Sequence, residues 1–256
     1  MFNLFKKKKE RKIDFIIAGT QKGGTTALDY YLRKHPEVGM GIKKELHFFD
    51  NEANFQNSST NYAEYNGAFN FGLNKKIYGE ATPIYMYWEP CCERIKKYNP
   101  DIKLIFILRN PITRAFSHWN MAFDLNAEKE SFLVAIKNEK ERIKSSLPLQ
   151  NRMISYQDRG YYSKQVKRFK EHFREDQLMF IKYEDFKNNQ EVVLNKIFEF
   201  IDVDPSKFSF EHETIHKRDK HAEMSSEEKN YLLDNFKSDI HILEDLLDWD
   251  CSDWLS

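Results

Sequence analysis

At 256 residues, with 41% apolar and 15% aromatic side chains, the chain is long enough to bury one large core and is not a disordered polymer. Its 40 Lys and Arg residues are balanced by 40 Asp and Glu. That balance excludes a general nucleic-acid binder, which carries a basic excess, so any anion site must be local.

Residues 1–12 form a basic N-terminal tail: a short apolar start, then Lys6 to Lys9, Arg11 and Lys12. The tail reads as a frayed, solvated terminus that makes at most weak contact with an anionic membrane surface. Its apolar start is too short for a secretory signal, and no apolar run approaches the ~20 residues that span a bilayer. These features predict a bacterial-type cytoplasmic protein, with an excised lumenal domain of a Golgi protein as the other source. Residues 13–256 read as one domain.

Asp14 to Ala18 is a short buried strand ended by Gly19. A helical pattern follows from Thr25 to about His35, with Leu28, Tyr31 and Leu32 at helical spacing, and Pro36 stops it. The Asn-rich, aromatic stretch 51–74 predicts a long irregular excursion near a site. A short strand ends at Glu80. Lys103 to Arg109 is a strong apolar strand, and Pro111 suits the first turn of a helix reaching about Phe123. Amphipathic helices are predicted over Phe132–Ile143, Tyr161–Phe173 and Ser226–Leu247. A further strand begins near Gln177, with a helix from about Gln190 to Ile201. Strands alternating with helices imply an α/β fold: a P-loop-like central parallel sheet flanked by helices on both faces. The three cysteines, Cys91, Cys92 and Cys251, have no zinc or disulfide spacing and read as ordinary thiols in a reducing compartment.

Gly19-Thr-Gln-Lys-Gly-Gly-Thr-Thr26 lies between a predicted strand and a predicted helix. Backbone amides at a helix N-terminus, opened by glycines, cradle an anion; Lys22 adds a charge, and Thr25 and Thr26 add donors. A plain glycine-rich turn is the bland alternative. The pattern differs from Walker A, because Lys22 precedes the glycine pair instead of following it. That departure weighs against a nucleoside or sugar kinase. Arg109 stands at the carboxyl end of the second strong strand and Ser117 two turns into the next helix. Ligands of open α/β sheets bind at such strand ends, and an Arg there can grip a phosphate with two prongs. Arg114, between them, reads as an exposed helix residue.

Together these segments resemble the 5′-phosphosulfate loop and the 3′-phosphate motif of sulfotransferases that use 3′-phosphoadenosine 5′-phosphosulfate (PAPS). Lys44-Glu-Leu-His-Phe-Phe-Asp50 resembles the K-E-x-H-F-F segment of the carbohydrate branch, which includes the heparan sulfate N- and 3-O-sulfotransferases. Gly79-Glu-Ala-Thr-Pro83, Gly160-Tyr-Tyr and Gln177 to Ile181 with Tyr183-Glu-Asp match further positions in order. The resemblance implies that PAPS is the sulfuryl donor and PAP the product, with no metal. It implies that Gln21, Lys22, Gly23, Gly24, Thr25 and Thr26 hold the 5′-phosphosulfate, with Lys22 stabilising the leaving oxygen. Arg109 and Ser117 are implied to hold the 3′-phosphate, and Arg218 or Lys220 to close over the cofactor. Glu45 is implied as general base with His47 beside it. Lys44, Glu80 and Thr82 are expected to edge the acceptor site, which would take a glycan-like hydroxyl or amine.

The chemistry is consistent with those groups. A sugar hydroxyl is a weak nucleophile and must lose a proton during attack, which a placed carboxylate can accept. Glu45 and His47, two apart on an extended segment, would face the same way. The alternative for Glu45 is a surface carboxylate paired with Lys43 or Lys44. Ala81 stands where the heparan enzymes carry lysine, which points to a less acidic acceptor than heparan. A non-catalytic PAP- or PAPS-binding protein is the remaining alternative, and the presence of Lys22, Glu45 and Arg109 speaks against it.

Overall fold

The computed structural model describes residues 11–57, 59–213 and 223–256. Arg218 and Lys220 lie outside the described residues, as do residues 1–10 of the basic tail. Arg11 and Lys12 are held at the entry to the sheet. The Arg11 guanidinium donates to the carbonyls of Lys75 and Lys76 at 3.2 and 3.3 Å and covers the Tyr78 ring, and Lys12 donates to the carbonyl of Tyr98.

Strand β1 (Phe15–Gly19) is buried at every residue. Its side chains alternate between two cores: Phe15 and Ile17 pack with Leu28 and Tyr31, whereas Ile16 and Ala18 pack with Cys91, Ala115 and Phe169. A strand apolar on both faces is the mark of a parallel sheet covered on both sides. The chain continues through α1 (Thr25–Lys34), β2 (Val38–Met40), the short α2 (Ala63–Gly67), β3 (Ile77–Ala81) and α3 (Cys91–Tyr98). Next come β4 (Lys103–Leu108), α4 (Pro111–Asp124), α5 (Phe132–Lys137), α6 (Glu139–Arg142) and α7 (Tyr162–His172). Strand β5 (Leu178–Lys182), α8 (Tyr183–Asn188), α9 (Gln190–Phe200) and α10 (Ser226–Leu247) follow.

All five strands run parallel, in the order β2-β3-β1-β4-β5. From β1 the chain builds outward to β2 and β3 on one side; from β4 it builds to β5 on the other. The order therefore reverses between β1 and β4, and a crevice opens beyond their carboxyl ends. Helices α1 and α9 cover one face, while α3, α4, α7 and α10 cover the other.

Three expectations are corrected. The helix foreseen over Phe132–Ile143 breaks at Asn138, which closes α5 and opens α6. Glu139 then turns its carboxylate inward to accept the amides of Gln157 and Asp158 at 2.7 and 2.8 Å. The 51–74 excursion is not wholly irregular, since it contains α2 and two short 3-10 turns. Arg114 is fully buried, not exposed.

Candidate active site

The loop after β1 turns back on the sheet at one point of close approach. Gly23 donates its amide to the Thr20 carbonyl at 2.9 Å, and Thr20 donates to the Ile107 carbonyl of β4 at 3.0 Å. A Cβ on Gly23 would sit 2.4 Å from that Ile107 oxygen, so only glycine fits. Gly24 opens α1 with φ at 95°, a left-handed conformation natural to glycine, and no side chain caps the helix. The amides of Thr25 and Thr26 precede the first intrahelical bonds, which Ala27 and Leu28 make to the Gly24 carbonyl. Such an end attracts a phosphate-type anion.

Arg109 enters from β4 and joins this loop. Its Nη1 donates to the Lys22 carbonyl at 3.3 Å, its Nε donates to Thr113 Oγ1 at 3.1 Å, and its guanidinium stacks 5.0 Å from the Tyr183 ring. The same ring lies against Gly24, where an added Cβ would meet it at 3.1 Å. Helix α4 begins immediately after, with Asn110 accepting the amides of Ile112 and Thr113. Thr113 and Ser117 are one turn apart on one helix face, which sets Ser117 on the side that Arg109 reaches.

Two buried arginines stand behind the loop. Arg159 donates to Gln21 Oε1 and to the Arg152 carbonyl, and its Nε donates to Ser155 at 2.8 Å. Burial lowers its pKa to about 10. Arg114 donates to the Tyr156 carbonyl, but its Nε and Nη1 have no hydrogen-bond partner among the described residues, and neither has His118 Nδ1. His118 is driven well below the ordinary imidazole range by burial, then by Arg159, Arg114 and Lys22. Arg159, Arg114 and Lys22 thus all act on one imidazole behind the loop, a concentration of positive charge that suits an anion.

The second half of the site follows β3. Thr82 donates its amide to the Ile17 carbonyl at 3.1 Å and Met86 to the Ala18 carbonyl at 2.8 Å, so this segment runs beside the end of β1. The Glu45 amide donates to the Ala81 carbonyl at 2.9 Å. Glu45 and His47 both have positive φ, 61° and 54°, as does Lys22 at 69°. Non-glycine residues avoid this region, and such outliers cluster at functional sites. Glu45 and His47 do fall side by side, with His47 Nε2 3.5 Å from Glu45 Oε2. The backbone at both residues is left-handed, not extended as alternation had suggested.

Lys44 Nζ lies 2.5 Å from Glu45 Oε1, so the ion pair weighed against catalysis forms inside the site itself. His47 donates Nδ1 to Asp50 at 2.9 Å, and Asp50 also takes the Arg152 guanidinium at 2.5 Å. The Asp50 hydrogen bond, with Glu45 adding, raises the His47 pKa to about 9; the His47 contact, with Lys44 adding, holds Glu45 at about 2. At neutral pH the imidazole is charged and the Glu45 carboxylate ionised. Asp50 was not anticipated; its place three residues past His47 in a turn was the available signal.

Glu80 and Thr82 require correction. They were expected at the edge of an acceptor site, yet both are buried, 1% and 0% exposed, and hydrogen-bonded beneath the 45–49 loop. The two halves of the site are tied together through Asp50, Arg152, Arg159 and Gln21.

An uncapped helix end with an arginine at the strand-order reversal is the arrangement of an α/β protein whose crevice suits an anion. The chain belongs to the sulfotransferase family: a family model described as "Sulfotransferase domain" matches residues 12–244. Its fold is similar to that of a sulfotransferase from Alicyclobacillus acidocaldarius, with a TM-score of 0.82, 28% identity, and coverage of 96% of this chain and 100% of that one. It is 37% identical over 109 residues to the membrane-associated sulfotransferase kil1 of Dictyostelium discoideum, covering 43% of this chain and 23% of that protein. It is 29% identical over 193 residues to heparan sulfate glucosamine 3-O-sulfotransferase 3B1 of Mus musculus, covering 73% of this chain and 45% of the relative. The matched stretches thus span less than half the length of these curated relatives. Among the described residues no helix is long and apolar enough to cross a membrane.

Proposed function

We propose that this protein transfers a sulfuryl group from PAPS to a hydroxyl or amine of a carbohydrate-like acceptor and releases PAP. The observation that carries the reading is one arrangement. An uncapped, glycine-opened helix end and Arg109 share the crevice between β1 and β4, and an ionised carboxylate is held on the loop tied to the neighbouring strand end. The residues fit the donor. The Thr25 and Thr26 amides at the start of α1, with Lys22 and the Thr25 and Thr26 hydroxyls, would take the 5′-phosphosulfate; Arg109 and Ser117 would take the 3′-phosphate. The buried Arg114 and Arg159 behind them would favour the donor's negative charge.

In the step itself the acceptor oxygen or nitrogen bonds to sulfur as the bond from sulfur to the bridging oxygen of PAP breaks. Lys22 would neutralise charge growing on that oxygen. The acceptor proton goes to Glu45, because His47 already carries one. A carboxylate held near 2 is a weak base, so the proton leaves late, once bonding to sulfur has made the acceptor atom acidic. His47, fixed by Asp50, keeps Glu45 aimed.

The test has two parts. PAP at 100 times its Kd should stabilise the protein by about 2.7 kcal/mol without Mg²⁺, while ATP should do little. Radiolabelled PAPS with a glycan panel should then yield labelled product. Stabilisation by ATP with Mg²⁺ and none by PAP would replace this reading with a kinase, and PAP binding without product would leave a binding protein.

A further inference from the structure

Glu80 is a buried carboxylate that the transfer step does not use. It stands at the carboxyl end of β3, 1% exposed, and receives three hydroxyls. Tyr65 and Tyr85 donate to Oε1 at 2.6 and 3.1 Å, and Thr82 donates to Oε2 at 2.6 Å. A hydroxyl has one proton. Once that proton is given to a carboxylate, only lone pairs remain to face anything else. Those lone pairs are occupied: Thr82 Oγ1 accepts the Leu46 amide at 3.0 Å, and Tyr85 Oη accepts the amides of Phe48 and Phe49 at 3.0 and 3.4 Å. Three of the four amides after Glu45 are therefore orientated, through two hydroxyls, by one carboxylate.

The segment so held is the one that needs holding. Glu45 and His47 occupy left-handed backbone, which persists only where the surroundings over-determine it. The β3 main chain, by contrast, is secured by its ladders to β1 and β2, independently of the Glu80 side chain. We propose that Glu80 is a positioning residue for the catalytic loop: through Thr82 and Tyr85 it fixes the backbone of residues 46–49, and with it the placement of Glu45 and His47. This rests on the reading of Glu45 and His47 as the acceptor-side groups of sulfuryl transfer. Burial, with Asp50 nearby, raises the Glu80 carboxyl, and the hydrogen bonds from Thr82, Tyr65 and Tyr85 oppose that rise. An apolar pocket would make a lone carboxylate costly, and the three donors offset that cost.

The experiment compares Glu80→Gln, Tyr85→Phe and Tyr65→Phe. A glutamine amide places a donor where a hydroxyl proton must go. Tyr85→Phe removes the acceptor of two loop amides, whereas Tyr65 touches Glu80 but none of those amides. Three quantities are read: PAP affinity by calorimetry, the His47 imidazole titration by NMR, and transfer from radiolabelled PAPS to de-O-sulfated heparin. In Glu80→Gln and Tyr85→Phe the PAP Kd should stay within about threefold while the His47 midpoint falls from about 9 toward its ordinary value of 6.5. The kcat should fall by about 10²-fold, the cost of a misplacement near 1 Å, with little change in KM for PAPS. Tyr65→Phe should leave transfer within about threefold. An unchanged His47 midpoint and kcat in both main variants would overturn the proposal. So would a parallel loss of PAP affinity and native melting in both, which would mark a scaffold residue. If the wild-type protein binds no PAP, the sulfotransfer reading fails while the His47 titration still decides the positioning role; Tyr85→Phe decides it if Glu80→Gln does not fold.

Discussion

Replacing Gly23 with alanine tests the site where its geometry is tightest. The added Cβ would lie 2.4 Å from the Ile107 carbonyl oxygen and 2.9 Å from both the Thr20 carbonyl oxygen and Thr20 Cγ2. Ordinary contact begins at 3.4 Å, so 3.4 − 2.4 gives about 1 Å of forced displacement. Two of the three atoms are backbone, and the Ile107 oxygen also accepts the Thr20 amide at 3.0 Å, so no side chain can swing aside. Overpacking of this kind costs about 1–3 kcal/mol. For a chain of this size the Tm should fall by roughly 2–4 °C per kcal/mol. A loop moved by that amount also withdraws amides from an anion. Losing one charge-assisted hydrogen bond of about 1.5–3 kcal/mol raises the Kd for PAP by at least tenfold. Gly67→Ala is the control, since its Cβ meets nothing within 4 Å, and it should change stability by no more than ~0.5 kcal/mol. Thermal melting and calorimetric titration with PAP read both effects. A Gly23→Ala protein that melts with the wild type and binds PAP equally well would refute the close approach and the cradle built on it.

Three further outcomes follow from the same geometry. Glu45→Gln should lower transfer by about 10²–10⁴-fold while PAP affinity, measured by calorimetry, changes less than twofold, because the proposed step puts Glu45 on the acceptor side. Arg109→Ala and Lys22→Ala should each weaken PAP by tenfold or more, and the double variant should lose less than the sum, since Arg109 also steadies the Lys22 carbonyl at 3.3 Å. Stability should depend on His47 with a defined sign. Its pKa is about 9 folded against 6.5 unfolded, so its contribution is complete below pH 6.5 and is lost as pH rises through 9. Solvent reaches the side chain, 44% exposed, which limits the effect to about 1 kcal/mol. Denaturation of His47→Gln should therefore show its deficit at pH 6 and none at pH 10, and a deficit independent of pH would remove the His47–Asp50 ion pair from the account.

The parts of the fold that could be read from sequence are those punctuated by residues with one conformational meaning. Gly19, Pro36 and Pro111 bracket β1, α1, β4 and α4 nearly to the residue, and a Ser225–Glu228 capping box opens α10 where its amphipathic pattern begins. What could not be read depends on partners distant in sequence. Arg114 carries an ordinary surface residue's letter, and its burial is fixed by the Tyr156 carbonyl, 42 positions away. Asp50 acquires its role from Arg152, 102 positions away. Glu80 looks like a site residue because it sits at a strand end, and only the tyrosines from α2 and the turn after β3 turn it into the interior. Strand β2 is three residues with a central glycine, too short to show any period.

The backbone supplies a functional argument that needs no relative. Seven non-glycine residues among those described have positive φ. Four are Asn or Asp (Asn74, Asn126, Asp202 and Asp248), types that tolerate the left-handed region and stand at turns or helix ends. The other three are Lys22, Glu45 and His47, and of these only His is moderately tolerant. Each such residue costs of order 1–3 kcal/mol, and a loop free to relax would not retain it. Here the loops are not free: the Lys22 carbonyl is gripped by Arg109, and Glu45 and Leu46 are tied by their amides to Ala81 and Thr82. The fold therefore maintains unfavourable backbone at Lys22, Glu45 and His47, the three positions to which the proposed transfer step assigns a cation, a proton acceptor and its steadying imidazole, and tolerant residues account for the rest. A protein that only displayed a nucleotide would have use for the first of these and none for the other two.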